Sequence, residues 1–349
     1  MTRASHVYVG AARAGNGTRG GLYRRIVGEG GWERLSNGLP DETQVQALTV
    51  HPGDPDVIYA GTHEGPYRSE DGGDSWQKLP WPDPAQVWAI AVHPGNHDVI
   101  YAGTQPAAVY RSEDGGDSWR KLPMPAPPDR VRMDFPTRVM RLAVDPANPE
   151  HIYATLEVAG VVRSLDGGET WEDCSQPLID LAQQPQLKSK IGSNTDIEGM
   201  MDGHALCVSG AAPNTVFLAV RMGLFRSDDN AKTWRDMEVG RFSPLTYARD
   251  VRVSPHDAST LYACLSPAAR SHDGSLYRSD DLGETWQRVD HDIKAEATMM
   301  ALALSPNDAN EVHCASRNGQ VFDTLDGGAT WSEHRLPEGV RDVYALACG

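Results

Sequence analysis

The side chains that could do chemistry in this chain are mostly arginines, with a few histidines and glutamates between them. The 349 residues include 26 Arg but only 6 Lys, and a planar guanidinium binds a carboxylate through two parallel hydrogen bonds. Histidine and glutamate are common general acids and bases. The candidate ligand-binding residues are Arg138, Arg221, Arg249, Arg317 and Gln105. The candidate catalytic residues are Glu157, His63 and His204. Because these residues are scattered, only the fold can bring them together.

A second group of carboxylates repeats along the chain, and we assign it to structure. Each member stands in the pattern Ser/Thr-x-Asp-x-Gly-x-Ser/Thr-Trp, with Asn230-Ala231 replacing the glycines in one copy. Its carboxylate and hydroxyl can bond the amides of their own turn, and glycine permits positive φ. Six copies around a ring cannot all face one substrate. The six are Asp71, Asp114, Asp166, Asp229, Asp281 and Asp326.

The repeat also predicts the elements that position the candidates. Residues 67–79 return almost unchanged as 110–122, and internal repeats of this length indicate a repeat architecture. Each unit divides into four short strands, A to D, separated by Gly/Pro/Asp/Asn turns. The A strands are predicted to begin near Val45, Val87, Val139, Ala205, Val251, Met300 and Val343.

The first unit begins with a B strand at 6–10, whereas an extra A strand remains at the end of the chain. Residues 340–348 should therefore complete the first blade, which removes exposed sheet edges. We predict an all-β fold, a single seven-bladed β-propeller of four-stranded blades over residues 1–349.

In such a propeller the B–C and D–A loops surround one mouth of the central channel, and in this chain these loops vary in length. The candidate residues fall at the inner ends of strands A and B and should line this mouth, together with Gln44 and Trp88. The B–C loop at 11–21 adds Arg13 and Arg19. The long D–A connection at 175–202 is predicted to be an inserted lid with a short helix within 177–190.

Composition limits the partners and the compartment. The net charge of −16 argues against nucleic acid or an anionic membrane as the main partner. No signal segment or long apolar run is evident, and five Cys without a CxxC pair argue against disulfides and a zinc site. We expect a cytoplasmic protein. No cofactor is predicted, because the chain lacks a Gly-rich phosphate loop and a Gly-x-Ser-x-Gly elbow.

The repeated motif resembles the Asp box, or BNR repeat, of sialidases, sortilin-type receptors, xyloglucan-degrading enzymes and a photosystem II assembly factor. In those families the box is structural. The strings at 56–62 and 67–73 are most similar to the xyloglucan-degrading enzymes, which bind glucan between two propellers, whereas this chain has one. The string at 24–27 lacks the proline of the sialidase Arg-Ile-Pro motif, which argues against sialidase activity.

Two kinds of chemistry stay open at this level. A glycosidase needs two carboxylates about 5–10 Å apart; candidates are Glu157, Asp134, Asp196 and Glu198, and the sequence pairs none of them. A metal site could use His63, His204 and His272 with Glu157 or Asp273, but these residues have no ligand spacing, so no metal is predicted.

The leading hypothesis is a propeller that binds an anionic or sugar-like ligand at the channel mouth, and any enzymatic activity would be that of a glycosidase-like hydrolase. The alternative is a non-catalytic scaffold or assembly factor that binds a protein partner through the same face. The ligand hypothesis predicts that Arg221→Ala or Arg249→Ala weakens binding and leaves stability nearly unchanged.

Overall fold

The computed structural model describes residues 5–13 and 20–349, so Arg19 lies outside the described residues. The strands of this part form seven four-stranded antiparallel sheets, which confirms the predicted seven-bladed propeller.

The strands follow one another blade by blade along the chain. Blade 1 contains β1 (His6–Ala11), β2 (Gly21–Ile26) and β3 (Glu33–Leu35). Blade 2 contains β4 (Val45–His51), β5 (Asp54–Thr62), β6 (Gly65–Ser69) and β7 (Gln77–Lys78). Blade 3 contains β8 (Gln86–Val92), β9 (Ile100–Gln105), β10 (Val109–Ser112) and β11 (Arg120–Lys121). Blade 4 contains β12 (Val139–Val144), β13 (Ile152–Leu156), β14 (Gly160–Ser164) and β15 (Glu172–Asp173).

Blade 5 contains β16 (Gly203–Val208), β17 (Val216–Val220), β18 (Gly223–Ser227) and β19 (Arg235–Asp236). Blade 6 contains β20 (Tyr247–Val253), β21 (Leu261–Ser266), β22 (Ser275–Ser279) and β23 (Gln287–Arg288). Blade 7 contains β24 (Met299–Leu304), β25 (Val312–Ser316), β26 (Gln320–Thr324) and β27 (Ser332–Arg335). The last strand, β28 (Val343–Cys348), is the inner strand of blade 1.

The ring closes through β28, as predicted. This strand is antiparallel to β1, with Cys348 opposite Val7 and Leu346 opposite Val9. A sheet edge on blade 1 would otherwise present unpaired backbone groups to other chains. The C-terminal strand therefore supplies the blade edge that faces the channel.

The repeated aspartate turn uses its own polar groups. In blade 2, the Ser75 amide and the Ser69 hydroxyl each donate to Asp71 Oδ1 at 2.8 Å, and the Ser75 hydroxyl donates to Asp71 Oδ2 at 2.6 Å. Gly73 closes the turn with a φ of 98°, a backbone angle that residues other than glycine rarely adopt. The carboxylate is fully used inside its turn, so it is a structural group.

Each of the seven inner strands carries a β-bulge near its first residues, where one residue has no partner on the neighbouring strand. A bulge redirects a side chain that regular pleating would bury in the sheet. We call these seven residues the bulge ring. The bulge ring consists of Gln46, Trp88, Met140, His204, Arg249, Met300 and Tyr344.

The insertion at 175–202 is packed against the blades. It contains α1 (Gln176–Leu181), a 3-10 turn (Pro185–Leu187) and α2 (Glu198–Met201), and a second 3-10 turn (Val239–Arg241) follows blade 5. Leu178, Leu187, Met200 and Met201 are buried in one apolar cluster with residues of blades 4 and 5. The insertion is therefore part of the core on this side of the propeller.

Along the described ranges, no helix is both long and apolar enough to cross a membrane.

Candidate functional site

The bulge ring closes the channel almost completely at its mouth. Together with Arg141, its seven side chains line a cavity of about 20 Å³. That volume holds about one water molecule. The rings of Trp88 and Tyr344 meet edge to face across the ring, with centroids 5.7 Å apart. A larger ligand must therefore lie above the bulge ring and place only a small group into it.

Arg249 is the cation of this ring. It is 8% exposed, and its Cζ lies 5.1 Å from the centroid of the Tyr344 ring. Burial alone would lower the pKa of the guanidinium, but neighbouring acidic groups, Tyr247 first, outweigh burial and raise it. Within residues 5–13 and 20–349, its guanidinium has no hydrogen-bond or ion-pair partner. Arg249 is thus a largely buried positive charge on which the carboxylates of Asp202 and Glu157 act only at a distance, without an ion pair.

Arg138 and Glu157 form an ion pair beside Trp88. The Arg138 Cζ lies 4.0 Å from the centroid of the Trp88 ring, so the guanidinium is stacked on the indole. Burial first, and then the charge of Asp202, raise the pKa of Glu157, although Arg138 opposes them. Gln105 Nε2 donates to the Pro136 carbonyl at 2.9 Å and so holds the adjacent loop.

His204 contacts the carboxylate of Asp202, the residue that immediately precedes β16. Its Nε2 lies 3.4 Å from Asp202 Oδ2, and its Nδ1 lies 2.7 Å from the Ala248 carbonyl oxygen. The Tyr247 hydroxyl is 3.3 Å from the same Nε2. Burial favours the neutral acid, but His204 and Arg221 outweigh burial and hold the pKa of Asp202 well below its usual range.

Arg221 bridges two buried carboxylates. Its Nε donates to Asp202 Oδ2 at 2.9 Å, and its Nη1 donates to Glu198 Oε1 at 3.2 Å. Glu198 is 1% exposed and also accepts the amides of Ile191 and Ser193 at 2.9 and 2.8 Å. Burial opposes these amide hydrogen bonds, which still lower the pKa of Glu198 to about 2. Arg221 therefore anchors the insertion to blade 5.

The remaining candidates occupy different places. Arg317 Nη1 donates to Asp342 Oδ1 at 3.1 Å, and its Cζ lies 5.9 Å from the Tyr344 centroid. His63 lines another cleft, of about 550 Å³, formed by blade 2 and the connection that leads to blade 3. Its Nδ1 accepts the Gln44 amide at 3.2 Å. The structure thus groups Glu157, His204 and the four arginines around the mouth and leaves His63 outside this group.

An ion pair under the bulge ring was not anticipated from the sequence. Arg141 Nη2 lies 3.2 Å from Asp250 Oδ1, Arg252 Nε approaches the same oxygen at 3.2 Å, and the Leu302 amide donates to Asp250 Oδ2 at 3.2 Å. Burial and the charge of Arg252 lower the pKa of Arg141 to about 10. Arg141 lines the small cavity of the bulge ring, and Arg252 lines a cavity of about 470 Å³ at the opposite face.

Comparisons with known proteins give relatives of this architecture. The Sortilin-Vps10 family model, described as sortilin, neurotensin receptor 3, matches residues 64–181. A xyloglucanase of Hypocrea jecorina (strain QM6a) is 26% identical over 212 residues, which cover 55% of this chain and 25% of that protein. The chain thus spans about a quarter of the length of this curated relative.

Two solved structures show the same fold. The GH74 xyloglucanase from Xanthomonas campestris superposes with a TM-score of 0.63 and 18% identity, covering 87% of this chain and 46% of that one. YCF48 bound to D1 peptide superposes with a TM-score of 0.55 and 14% identity, covering 86% and 82%. The fold is shared. At these identities the two structures show the architecture alone, so the function must be argued from the mouth.

Proposed function

We propose that this chain binds a small anionic or sugar-like ligand at the channel mouth, with an anionic group of the ligand on Arg249. The observation that carries the proposal is the buried guanidinium of Arg249, which has no partner among the described residues. A buried charge without a partner is costly, and a carboxylate would supply two charge-assisted hydrogen bonds. The small cavity suits such a group in place of one water molecule.

The walls of the mouth suit the remainder of a sugar acid. Trp88 and Tyr344 provide aromatic edges, while the ion pairs of Arg138 and Arg317 offer polar groups above them. Arg221 contributes indirectly, because it holds Asp202 beside His204. We further propose that the insertion at 175–202 forms one side of the site, and that the protein is cytoplasmic. Five unpaired cysteines support a reducing compartment.

The alternative of a protein partner has weaker support. In the described part of the chain, the exposed large apolar side chains are Leu165, Ile191 and Leu325. Leu165 and Leu325 belong to repeated turns of blades 4 and 7, whereas Ile191 lies in the insertion, so these residues form no common docking patch. The likeness to YCF48 bound to D1 peptide keeps a protein partner as an outcome to be tested.

A thermal-shift screen against sugars, sugar acids, dicarboxylates and divalent metals tests the proposal. A ligand at 100 times its dissociation constant should add about 2.7 kcal/mol of stability. We expect Arg249→Met to weaken binding of an acidic hit by about 10- to 100-fold, since charge-assisted hydrogen bonds contribute about 1.5–3 kcal/mol. Isothermal titration of both proteins measures the change.

Arg249→Lys is the matched control, because it keeps the charge but loses the two-pronged geometry. Arg249→Lys should bind the acidic ligand with an affinity between those of Arg249→Met and the unmodified protein. A neutral sugar should bind all three proteins with the same affinity. Equal affinity of Arg249→Met and the unmodified protein for the acidic ligand would refute the role of Arg249. No shift with any compound would favour the protein-partner alternative.

A glycosidase-like activity is the second candidate, and one observation favours it. The pKa of Glu157 is raised, while that of neighbouring Asp202 is lowered. Carboxylates with opposite shifts are typical of an acid and a base that share one site. In this reaction Glu157 would have to leave its ion pair with Arg138 and take up a proton before it could protonate the leaving oxygen, and Asp202 would stay ionised.

If the chain hydrolyses aryl glycosides, Glu157→Gln should lower the rate by about 10²–10⁴-fold, the usual contribution of a general acid. The affinity of Glu157→Gln for the same glycoside, measured by thermal shift, should stay close to that of the unmodified protein. The control is Glu64→Gln, in the separate cleft beside His63, which should leave the rate unchanged. An unmodified protein without hydrolytic activity would eliminate this second candidate.

A further inference from the structure

A second cluster of ionisable groups lies away from the mouth, where the closing strand meets blade 7. It consists of Glu311, which precedes β25, His313 in β25 and Cys348 at the end of β28. Each residue offers one ligand atom, and the three atoms lie within 4.8 Å of one another. All three residues are buried. Buried ionisable groups in such proximity require a physical explanation.

The donor atoms form a metal-ligand set. One carboxylate oxygen, one imidazole nitrogen and one sulfur suit a borderline divalent cation, and zinc binds all three donor types in tetrahedral sites. His313 Nε2 is 2.9 Å from Glu311 Oε1, which also accepts the Ser5 hydroxyl at 3.1 Å. A cation would neutralise the carboxylate and the thiolate within the same buried space.

A second observation concerns the other ring nitrogen of His313. Within the described residues, His313 Nδ1 is buried and has no hydrogen-bond partner. It lies 4.0 Å from Asp323 Oδ2, and Asp323 is held by Arg25 and by His334 at 3.2 Å. Histidines that bind metals usually donate their second ring N–H to a carboxylate. At 4.0 Å the two atoms form no hydrogen bond here, but Asp323 lies on the side of the ring where such a carboxylate would stand.

We propose that Glu311, His313 and Cys348 bind one divalent metal ion, zinc foremost, which fastens β28 to blade 7. The Cys348 thiol would release its proton to solvent as the metal–sulfur bond forms, and no electrons would be transferred. Cys348 also lines the cavity of about 470 Å³ at the face opposite the mouth, which gives an ion access to the sulfur. This proposal is independent of the ligand at Arg249.

No sequence pattern indicates this site, because Glu-x-His and one distant cysteine match no recognised ligand spacing.

Cobalt titration of the full-length, reduced, chelator-treated protein tests the proposal. We expect one equivalent of Co²⁺ per chain, a near-ultraviolet cobalt–thiolate charge-transfer band, and loss of this band when Zn²⁺ is added. Cys348→Ser should abolish the band. Cys314→Ser is the matched control and should retain it, because Cys314 is equally buried and adjacent to His313 but lies outside the cluster.

The spectrum of the unmodified protein decides the matter even if a variant folds poorly. Absence of a thiolate band at saturating Co²⁺ would overturn the proposal, and so would a band of equal intensity in folded Cys348→Ser. The three residues would then be a buried cluster that binds no metal. Glu311→Gln provides a further test, since it should retain the band and bind Co²⁺ at least tenfold more weakly.

Discussion

Replacing Arg221 with alanine is expected to lower the free energy of unfolding by about 3–5 kcal/mol. The side chain of Arg221 is 15% exposed, and its partners Glu198 and Asp202 are almost fully buried. Removing the guanidinium leaves two carboxylates that neither water nor another cation can fully compensate. Urea denaturation followed by tryptophan fluorescence measures the loss.

Arg241→Ala is the matched control for this substitution. Its side chain is 70% exposed and forms a pair with Glu238 at 2.9 Å, so its removal should change stability by about 0.5 kcal/mol or less. If both variants lost equally little, the Arg221 pairs would be no stronger than surface pairs. That result would restore the sequence-based expectation that Arg221 can be removed without loss of stability.

The fold was predictable because the blades repeat the same local rules. The aspartate turn indicates the C–D connection in six of the seven blades, and short apolar runs indicate the strands on either side. The extra A strand near Val343 was sufficient to predict closure, since its partner at 6–10 lacked an inner strand. Repetition makes each local inference more secure than it would be in a chain without repeats.

The one inner strand that was misplaced shows where this approach is limited. Strand β20 begins at Tyr247, whereas the apolar pattern placed its start near Val251. Arg249 and Asp250 interrupt the apolar run, and hydrophobicity alone assigns such residues to a loop. The structure instead places Arg249 at the bulge and buries Asp250 against the Arg141 side chain. Because Arg249 and Asp250 are charged, the apolar pattern missed the first residues of β20, which include the proposed ligand-binding residue.

A pattern in the sequence marks the bulge ring. Four-residue strings such as Val45-Gln46-Ala47-Leu48 recur in the seven inner strands, and the second residue is always the bulge. The third residue departs from alanine at Arg141 and at Asp250. These two exceptions form an ion pair with each other across the channel. The repeat position of the bulge and the two charged exceptions therefore both stand in the sequence.

Other parts of the site depend on pairing in three dimensions, which the sequence does not encode locally. Arg221 follows β17 and Arg249 is the bulge residue of β20, and only the first of these two arginines forms ion pairs with carboxylates in the described chain. Glu198, one of the two partners of Arg221, belongs to an insertion whose contacts the repeat does not predict. The difference between an anchor and a free cation therefore emerges only from packing.

Glu198→Gln is expected to lower stability by about 3 kcal/mol at pH 7, and the loss should diminish as the pH falls. The pKa of Glu198 is lowered from 4.5 to about 2 in the folded chain. One pKa unit corresponds to about 1.4 kcal/mol, so ionised Glu198 stabilises the folded state by about 3 kcal/mol above pH 4.5. This contribution decreases below pH 4.5, as the unfolded chain binds the proton, and is lost as the pH falls through 2.

Urea denaturation of both proteins between pH 7 and pH 3 tests this dependence, because titrations elsewhere cancel in the difference. Glu238→Gln, whose side chain is 60% exposed, should differ little from the unmodified protein at every pH. A stability loss for Glu198→Gln that stayed constant with pH would mean that the loss comes from altered hydrogen bonding by the carboxamide and not from the charge of Glu198. If the free energies of unfolding of the two proteins converged as the pH fell, the charge of Glu198 would be what holds the insertion against the rim of the channel mouth.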